Sequence, residues 1–388
     1  MIHEVTIKNY KSVVDVSLPL GRFNLLIGAN GCGKSNILEG IALGAAASAD
    51  KLDFEYFANR GIRVTETQFM LPAFDDIYAE KIVIGLTNSD NSKATFDLRF
   101  NRDLKPAQWQ DNSVNAESFV TYVGDNPAKH GTGVKEMIDL INKRKSDNDK
   151  ANNLRLKTAD GEVRIMAVDK NLNRFLIYSL EESKLRGADN SNRTFPVGRH
   201  GEGLFAYLKD LTLRPEGIEI FNEIKENMKI LDWFEDMQVP SGQLSMEFNL
   251  RLKDSYLSDT INMFDQRSTN EGFLYLLFYM TLIISDETPR FFAIENIDTA
   301  FNPKLCREVT RQLINLARKH DKQIIATTHN AAVLDGINLF EDDVRLHVVR
   351  RNIDGFTKAN RVILKGDMSM PLSEAWMKGF LGGLPDNF

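Results

Sequence analysis

The chain has 388 residues and a formal net charge of −6 at pH 7, with 26% charged and 43% hydrophobic residues. This composition excludes an intrinsically disordered chain, and the length is sufficient for a composite fold with an inserted lobe. An acidic balance argues against a general polyanion-binding surface, although a local basic patch leaves nucleic acid open as a partner.

Cysteine content and hydropathy indicate the cellular setting. Two cysteines, Cys32 and Cys306, are too few for a disulfide framework, and the alternating opening from Met1 to Lys8 is unlike a signal peptide. The longest apolar run, 273–284, is shorter than the roughly 20 residues that span a bilayer, and it is typical of a buried core helix. We therefore expect a cytoplasmic protein without a membrane partner.

The first strand, loop and helix carry the most specific motif. Residues 23–27 are typical of a buried strand and 35–43 of an amphipathic helix, and the segment between them, GANGCGKS, matches G-x-x-x-x-G-K-S/T at every position. In such a loop, backbone N–H groups and a lysine bind nucleotide phosphates, and the hydroxyl binds Mg²⁺. The motif predicts ATP and Mg²⁺ as cofactors, with Ser35 on the metal. The expected cofactor-binding residues here are Asn30, Gly31, Cys32, Gly33, Lys34, Ser35 and Asn36.

The middle of the chain predicts an inserted lobe. Residues 81–86 and 94–100 alternate like strands around a turn-rich segment, which predicts an antiparallel hairpin. A short helix is expected over 135–143, where the cluster Lys143-Arg144-Lys145 is more typical of a solvated loop than of a nucleic-acid site. Helical periodicity returns over 201–236, and no heptad pattern persists long enough to predict a coiled-coil arm.

A second buried strand supplies the acidic partner that a phosphate loop needs for Mg²⁺. Residues 290–295 form an apolar run that ends in Glu295, which we assign to the metal side of the site. Asn296 follows, at the position where this class of site usually carries the glutamate that polarises the attacking water. Either Asp298 substitutes for that glutamate, or hydrolysis is slow and the site acts mainly as an ATP-gated switch.

A third buried strand over 323–327 ends in the polar cluster Thr328-His329-Asn330. A single histidine is more often structural than functional. Because this one follows a strand soon after Glu295, we interpret His329 as a sensor of the γ-phosphate. The expected catalytic set is therefore Lys34, Glu295, Asn296, Asp298 and His329.

Three segments make the chain resemble the ABC-type ATPases that include RecF, SMC and OLD-like proteins, and the ATPase subunits of bacterial anti-phage systems. The first consists of residues 7–12 together with 28–39, the second of residues 290–303, and the third of residues 327–330. The resemblance implies an α/β fold: an ABC-type P-loop ATPase head with an antiparallel β subdomain and an inserted helical lobe. It places the composite ATPase core in 1–60 and 265–365, the inserted lobe in 61–264 and a C-terminal tail in 366–388.

In this group two subunits enclose two ATP molecules, and a signature helix of one closes over ATP bound to the other. The equivalent segment here, 268–272, departs from the usual LSGGQ form, and a polar helix cap is the alternative reading. The expected contacts across the dimer are Ser268, Asn270 and Gly272. The resemblance also implies adenine-side contacts at Asn9, Lys11 and Ser12. Gln68 is a candidate for the glutamine that joins the lobe to Mg²⁺, with an ordinary loop glutamine as the alternative.

The leading functional hypothesis is an ATP-hydrolysing homodimer, or higher homo-oligomer, that regulates a separately encoded nuclease or toxin in anti-phage defence. The segment after the last core strand lacks the acidic cluster of a nuclease. The alternative is a RecF-like DNA-binding ATPase of repair or recombination, and a transporter ATPase and a non-hydrolysing scaffold are weaker readings. Sequence alone does not identify the effector or the trigger.

Overall fold

The structure is a computed structural model. It describes residues 1–75, 77–91, 93–101, 108–111, 154–158, 161–165, 171–187, 196–239, 250–258, 263–364, 366 and 370–384. The helix expected over 135–143 and the basic cluster at 143–145 lie outside these residues.

The strands are named in chain order, and all bounds refer to the described residues. They are β1 (Ile2–Tyr10), β2 (Val13–Pro19), β3 (Phe23–Ile27), β4 (Lys81–Asn88), β5 (Lys93–Asn101), β6 (Gln108–Asp111), β7 (Leu154–Thr158), β8 (Gly161–Ile165), β9 (Ile177–Tyr178), β10 (Phe234–Gln238), β11 (Arg251–Asp254), β12 (Phe264–Asp265), β13 (Phe291–Ile294), β14 (Gln323–Thr327), β15 (Val344–Arg351) and β16 (Thr357–Arg361).

The described α-helices and 3₁₀ turns follow the same order. The helices are α1 (Lys34–Ser48), α2 (Phe54–Asn59), α3 (Glu182–Arg186), α4 (Leu204–Leu213), α5 (Pro215–Asn227), α6 (Glu271–Ile284), α7 (Pro303–Lys319) and α8 (Leu372–Met377). The 3₁₀ turns are Thr67–Phe69, Met228–Ile230, Gln266–Ser268 and Ala331–Gly336.

A six-stranded sheet in the order β16-β15-β3-β14-β13-β9 forms the centre of the molecule. Strands β15, β3, β14, β13 and β9 run parallel, and β16 pairs antiparallel with β15 at one edge. Every residue of β3, β13 and β14 is buried, as expected for parallel strands with both faces covered. The three strands predicted at 23–27, 290–295 and 323–327 are therefore confirmed as neighbours in one sheet.

A second, antiparallel sheet has the order β2-β1-β4-β5-β6. It contains the predicted hairpin, with β4 paired to β5. The sheet takes β1 and β2 from residues before 60 and its other strands from residues after 61, so both sides of the expected domain boundary contribute to it. The division of the chain into domains stays a prediction.

Two hydrophobic clusters cover the two faces of the central sheet. Phe23, Leu25 and Ile27 pack with α4, α5, α6 and α7 on one face. Leu26 joins α1 and the antiparallel sheet on the other. Helix α6 lies deepest, because every residue from Gly272 to Ile284 is buried. This confirms the prediction of a buried core helix over 273–284.

The helical prediction over 201–236 is correct only in part. Helices α4 and α5 and one 3₁₀ turn occupy 204–230, but residues 234–238 form β10, which pairs antiparallel with β11. The apolar positions that gave helical spacing end at Leu231, and a partner strand distant in sequence determines the conformation after it.

The longest helix in the described part of the chain is α7, with 17 residues, so no long coiled-coil arm is present there. None of the described helices combines the length and apolarity needed to cross a membrane.

Candidate functional site

Three loops at the carboxyl ends of β3, β13 and β14 meet at one edge of the central sheet. Adjacent parallel strands bring their carboxyl ends to the same edge, where ligands bind in α/β folds. The loops enclose a cavity of 330 Å³. It is named here the ATP cavity, because the sequence motifs predict that ATP binds there. Its lining residues are Asn30, Gly31, Cys32, Gly33, Lys34, Ser35, Asn36, Arg63, Glu295, Asn296, Thr327, His329 and Arg351.

The phosphate loop requires glycine at two crowded positions. Gly33 has a φ of 107°, and a Cβ there would lie 2.1 Å from Thr357 Oγ1. Gly28 has a φ of 149°, and a Cβ there would lie 2.1 Å from the carbonyl oxygen of Val349. Helix α1 begins directly after Gly33 without a side-chain cap. Its first backbone N–H groups and its dipole are therefore available to an anion in the cavity.

The Lys34 ammonium group lies inside the loop. Its Nζ donates to the carbonyl oxygens of Gly28 at 2.7 Å and Ala29 at 3.1 Å. Burial lowers the pKa of Lys34, and the nearby Cys32 and Glu295 act in the opposite direction. A buried cation bonded to carbonyl groups is well placed to turn to phosphate oxygens, which are stronger acceptors because they are charged.

The acidic side of the cavity is supplied by the residue after β13. The Glu295 backbone N–H donates to the Tyr178 carbonyl oxygen of β9 at 2.8 Å, which fixes the point at which the loop leaves the sheet. Ser35 and Glu295 both line the cavity, and Mg²⁺ is usually held by one or two protein oxygens together with substrate phosphates. No group of three His, Cys, Asp or Glu residues arranged for a metal ion occurs in the described ranges. The oxygen donors present thus fit a nucleotide-bound Mg²⁺ rather than a metal site built by the protein alone.

Asn296 and Asp298 have different positions relative to the ATP cavity. Asn296 lines the cavity, has a φ of 51°, and its backbone N–H donates to Thr327 Oγ1 at 3.0 Å. Asp298 is not among the lining residues, and its carboxylate accepts a hydrogen bond from the Thr328 hydroxyl at 2.6 Å. The structure thus brings Asn296 to the cavity and engages Asp298 in supporting the loop beside His329.

His329 lines the cavity next to Lys34. Burial lowers its pKa, and the positive charge of Lys34 lowers it further, against an opposing effect of Asp298. The neighbouring Asn330 caps the 3₁₀ turn that follows, since its side-chain oxygen accepts from the Ala332 backbone N–H at 3.0 Å. The imidazole of His329, when neutral, has one donor and one acceptor nitrogen that it can present to a phosphate.

The sequence did not predict two arginines that line the cavity, Arg63 and Arg351. Arg63 donates to the carboxylate of Glu39, which is 2% exposed, and to Asn36 Oδ1 at 2.8 Å. Arg351 donates to the Gly31 carbonyl oxygen at 2.9 Å. Neither arginine belongs to a motif, and their contacts join segments distant in sequence. The sequence contained one signal for a cation at this place: Glu39 lies within the apolar run of α1, and a buried carboxylate requires a cationic partner.

Asn9, Lys11 and Ser12, expected on the adenine side, are not among the lining residues of the ATP cavity. Ser12 is buried, accepts from Asn36 Nδ2 at 2.7 Å and lies 2.7 Å from the Thr357 hydroxyl, which donates to the Cys32 carbonyl oxygen. Lys11 Nζ donates to Glu39 at 2.5 Å. These contacts make Ser12 and Lys11 supports of the phosphate loop, and their contact with adenine stays a prediction.

Gln68 is not brought to the cavity. It is exposed in the turn Thr67–Phe69 and donates to Glu66 at 2.9 Å, as an ordinary loop glutamine does. Strand β13 pairs with β14 on one side and with β9 on the other. Ser179 follows β9, so the topology places it next to Glu295 on that side. With only two residues, β9 is too short to be recognised from the sequence.

The signature-like segment lies at the start of α6 and outside the ATP cavity of its own chain. Asn270 caps the helix, with its side-chain oxygen accepting from the Phe273 backbone N–H at 2.8 Å. Ser268 is exposed, and a Cβ on Gly272 would lie 3.0 Å from the carbonyl oxygen of Ala300. The helix-cap reading therefore applies to Asn270, and a contact across a dimer stays a prediction for all three residues.

Comparison with protein families gives one match over most of the chain. A family model described as "AAA domain, putative AbiEii toxin, Type IV TA system" matches residues 23–335. Two curated relatives, the sn-glycerol-3-phosphate import ATP-binding protein UgpC of Vibrio vulnificus strains YJ016 and CMCP6, are each 30% identical over 134 residues. The match covers 33% of this chain and spans only a third of each relative.

Solved structures show the fold. An SmcHead bound to the C-winged helix domain of ScpA matches with a TM-score of 0.55 and 16% identity, covering 94% of this chain and 98% of that one. An Smc head domain with an extended coiled coil from Pyrococcus furiosus, bound to the C-terminal domain of ScpA, matches with a TM-score of 0.52 and 13% identity, covering 97% and 98%. Together these comparisons confirm the expected ABC-type ATPase head.

Proposed function

This chain belongs to the AAA-domain family described as putative AbiEii toxin of a type IV toxin–antitoxin system, within the ABC-type ATPases of the RecF- and SMC-like group, and from that premise we propose that it is a slowly hydrolysing, ATP-gated dimeric switch. The observation that carries the proposal is the convergence of Lys34, Glu295 and His329 on one cavity. A phosphate-binding lysine and a carboxylate on the metal side are recurring groups of phosphoryl transfer, and His329 adds a hydrogen-bonding side chain to the same cavity.

In this proposal, positively charged groups bind the phosphates and oxygen ligands bind Mg²⁺. Lys34 and the N-terminus of α1 bind the β- and γ-phosphates, and Ser35 and Glu295 hold Mg²⁺, which neutralises charge on the phosphates. Arg63, fixed by Glu39, adds a positive charge at the rim of the cavity. His329 contacts the γ-phosphate and reports its loss through the turn that follows.

Asn296 accounts for the slow step. An amide can orient a water molecule but does not accept its proton at neutral pH, whereas a carboxylate does. ATP would thus persist in the site and hold two copies together, with Ser268, Asn270 and Gly272 of one copy facing the phosphates of the other. Hydrolysis would release the dimer and change the activity of a separately encoded effector, a nuclease or a toxin.

The test is to measure ATP binding and turnover separately on the purified protein with Mg²⁺. We expect binding of a fluorescent ATP analogue that Lys34→Ala abolishes, and a low turnover that Glu295→Gln reduces at least tenfold while ATP binding is retained. Lys229→Ala and Glu226→Gln, which remove an exposed ion pair at the end of α5, are matched controls and should change neither.

Two results decide between this proposal and its alternatives. Failure to bind ATP at all would contradict it. Strong stimulation of turnover by duplex DNA, falling steeply with salt, would instead favour the RecF-like function in repair or recombination.

A further inference from the structure

A C-terminal strap, defined as residues 371–384, connects two loops of the ATP cavity. At one end, Asp335 of the turn Ala331–Gly336 accepts from the Ser373 backbone N–H at 3.0 Å and from its hydroxyl at 2.7 Å. At the other end, a Cβ on Gly383 would lie 2.6 Å from Val348 Cγ1 and 3.5 Å from Gly28 Cα. The strap therefore extends from the turn that follows His329 to the start of the phosphate loop.

Between the strap and the phosphate loop lies a groove of 600 Å³, named here the strap groove. It shares Asn30, Gly31, Cys32 and Arg351 with the ATP cavity, so the two are continuous around the loop. Its lining residues are Ala29, Asn30, Gly31, Cys32, Val349, Arg350, Arg351, Met377, Lys378, Gly379, Gly382, Gly383 and Leu384.

The strap groove is positively charged and has an apolar rim. Arg350, Arg351 and Lys378 line it, and none of its described lining residues is acidic. Met377 is 64% exposed and Phe380, three residues along the strap, is 68% exposed. Large apolar side chains that are exposed beside a charged concavity are typical of a surface that a protein partner covers.

A surface of opposite charge flanks the signature-like segment. Glu181, Glu182 and Glu271 form an acidic patch around Tyr275, whose hydroxyl donates to the Leu180 carbonyl oxygen at 3.2 Å. Within the patch, Glu181 lies 3.2 Å from His200 Nδ1 and Glu182 lies 2.7 Å from Arg186 Nε, while Glu271 forms no ion pair with another residue that the structure describes. Burial and these three carboxylates raise the pKa of Tyr275 to about 12. Arg186 connects the patch to the segment, because it is paired with Glu182 and donates to the Arg267 carbonyl oxygen at 3.0 Å.

We propose that the strap groove receives the acidic patch of a second copy of this chain. The inference rests on the proposed ATP-dependent dimer and extends it. In that dimer, segment 268–272 of one copy covers the phosphate loop of the other, which brings the neighbours of each into contact. The acidic patch neighbours the segment, and the strap groove neighbours the loop. Two-fold symmetry produces the contact twice, and burial of Met377 and Phe380 adds apolar area to it.

Charge reversal on both sides of the contact tests the pairing. The dimer is formed by the unsubstituted protein with a non-hydrolysable ATP analogue and Mg²⁺, which keeps the proposed Mg²⁺ ligand Glu295 in place, and its dissociation constant is measured by sedimentation velocity. We expect Arg350→Glu/Lys378→Glu to weaken the dimer at least tenfold, and Glu181→Lys/Glu182→Lys to do the same, because like charges then face each other at close range. Combining both pairs of substitutions should restore at least half of the lost affinity on a logarithmic scale.

Two controls exclude indirect effects. The affinity of the monomer for a fluorescent ATP analogue should stay within twofold in every variant, because Arg350, Lys378, Glu181 and Glu182 do not line the ATP cavity. Lys229→Glu, at an exposed position of the turn Met228–Ile230 after α5, is the matched charge reversal and should leave the dimer unchanged. A fluorophore sensitive to polarity, attached at Phe380→Cys, should shift to the blue when ATP is added, whereas one at Leu213→Cys on α4 should not. The native Cys32 and Cys306 are buried and leave the labelling specific.

The outcomes separate the inference from the proposal on which it rests. If the unsubstituted protein binds the non-hydrolysable analogue and stays monomeric, the ATP-dependent dimer is wrong and the strap contact with it. If ATP drives dimerisation but neither pair of charge reversals weakens it, the dimer stands and the strap contact is overturned. If each pair weakens the dimer and their combination does not restore it, the acidic patch is not the occupant of the groove.

Discussion

In the proposed switch, a single residue, Asn296, distinguishes this site from a fast ATPase. It lines the ATP cavity and has the left-handed backbone conformation that asparagine tolerates better than most residues. A carboxylate at this position would accept the proton of the attacking water, which an amide does not. In the proposed switch, the slow step thus depends on one side chain, whereas ATP binding is distributed over the phosphate loop.

Replacing Asn296 tests this interpretation directly. We expect Asn296→Glu to raise kcat for ATP hydrolysis at least about tenfold, since a positioned general base contributes ~10² or more to a rate. The measurement is steady-state phosphate release. Asn296→Gln is the matched control, because it has the same length and the same backbone cost without the charge. An equal kcat in the two variants would show that water activation depends on another group.

His347 gives a second prediction at the residue scale. It is fully buried in β15. Burial and the charges of Arg345 and Arg361 lower its pKa from 6.5 to about 4. The folded protein therefore binds this proton more weakly than the unfolded chain does. The stability that the folded protein gains from neutral His347 should be fully present above pH 6.5. The free energy of unfolding should then fall by up to about 3 kcal/mol as the pH drops toward 4.

Chemical denaturation at pH 7 and at pH 4.5 measures this effect. His347→Leu should reduce the loss of unfolding free energy between the two pH values by about 2 kcal/mol, since the neutral side chain has no proton to bind. The exposed His3→Gln serves as the control, and it should lose as much stability as the unsubstituted protein. An unchanged pH dependence in His347→Leu would assign the acid sensitivity to other groups.

At the scale of elements, α6 is capped by a residue that has a structural role and a proposed functional role. Its body is buried on all sides, so the helix is fixed by packing, while its cap is exposed. Asn270 provides that cap and is also the residue proposed to face ATP across the dimer. The two roles respond differently to substitution, which allows them to be separated.

We expect Asn270→Ala to lower the free energy of unfolding by about 1 kcal/mol, the usual cost of a lost N-cap. Asn270→Asp keeps a capping oxygen and should leave stability within 0.5 kcal/mol, a small change by the usual scale of cap effects. The same Asp variant should weaken the ATP-dependent dimer, because it places a negative charge against phosphates. Denaturant titration and sedimentation give the two readouts. Asn302→Ala, which removes the cap of α7, should destabilise the protein to a similar extent without affecting the dimer.

Elements that carry a local pattern could be predicted, and those that depend on distant contacts could not. The strands at 23–27 and 323–327 are short, mainly apolar segments, and the phosphate loop is a contiguous motif, so both were visible in the sequence. In contrast, β9 has two residues and exists because it pairs with β13. Arg63 and Arg351 reach the cavity through Glu39 and Gly31, and no spacing rule connects such residues.

At the scale of the whole molecule, the ATP cavity joins the two halves of the fold. Its lining comes from α1 on one face of the central sheet and from the loops after β13 and β14, which carry the helices of the other face. A ligand bound there contacts both hydrophobic clusters through their loops. Its binding free energy therefore adds to the stability of the entire fold rather than of one lobe.

ATP with Mg²⁺ should accordingly stabilise the protein as one unit. At a concentration 100 times the dissociation constant, the expected gain is about 2.7 kcal/mol. It is measured as a shift of a single cooperative transition in thermal or denaturant unfolding. Lys34→Ala should abolish the shift, and Lys229→Ala should preserve it. Two separate transitions, of which ATP moves only one, would show that the halves unfold independently.

The order of the central sheet also determines when the protein can fold during synthesis. Strand β3 pairs on its two sides with β14, about 300 residues later, and with β15, later still. A ribosome adds roughly 5–20 residues per second, so a strand that is entirely buried in the folded protein waits about 15–60 seconds for either neighbour. During that interval the strand is an exposed template for aggregation. We therefore expect the yield of native protein to depend on chaperones that cover the N-terminal segment, and to rise when translation of residues 30–320 is accelerated.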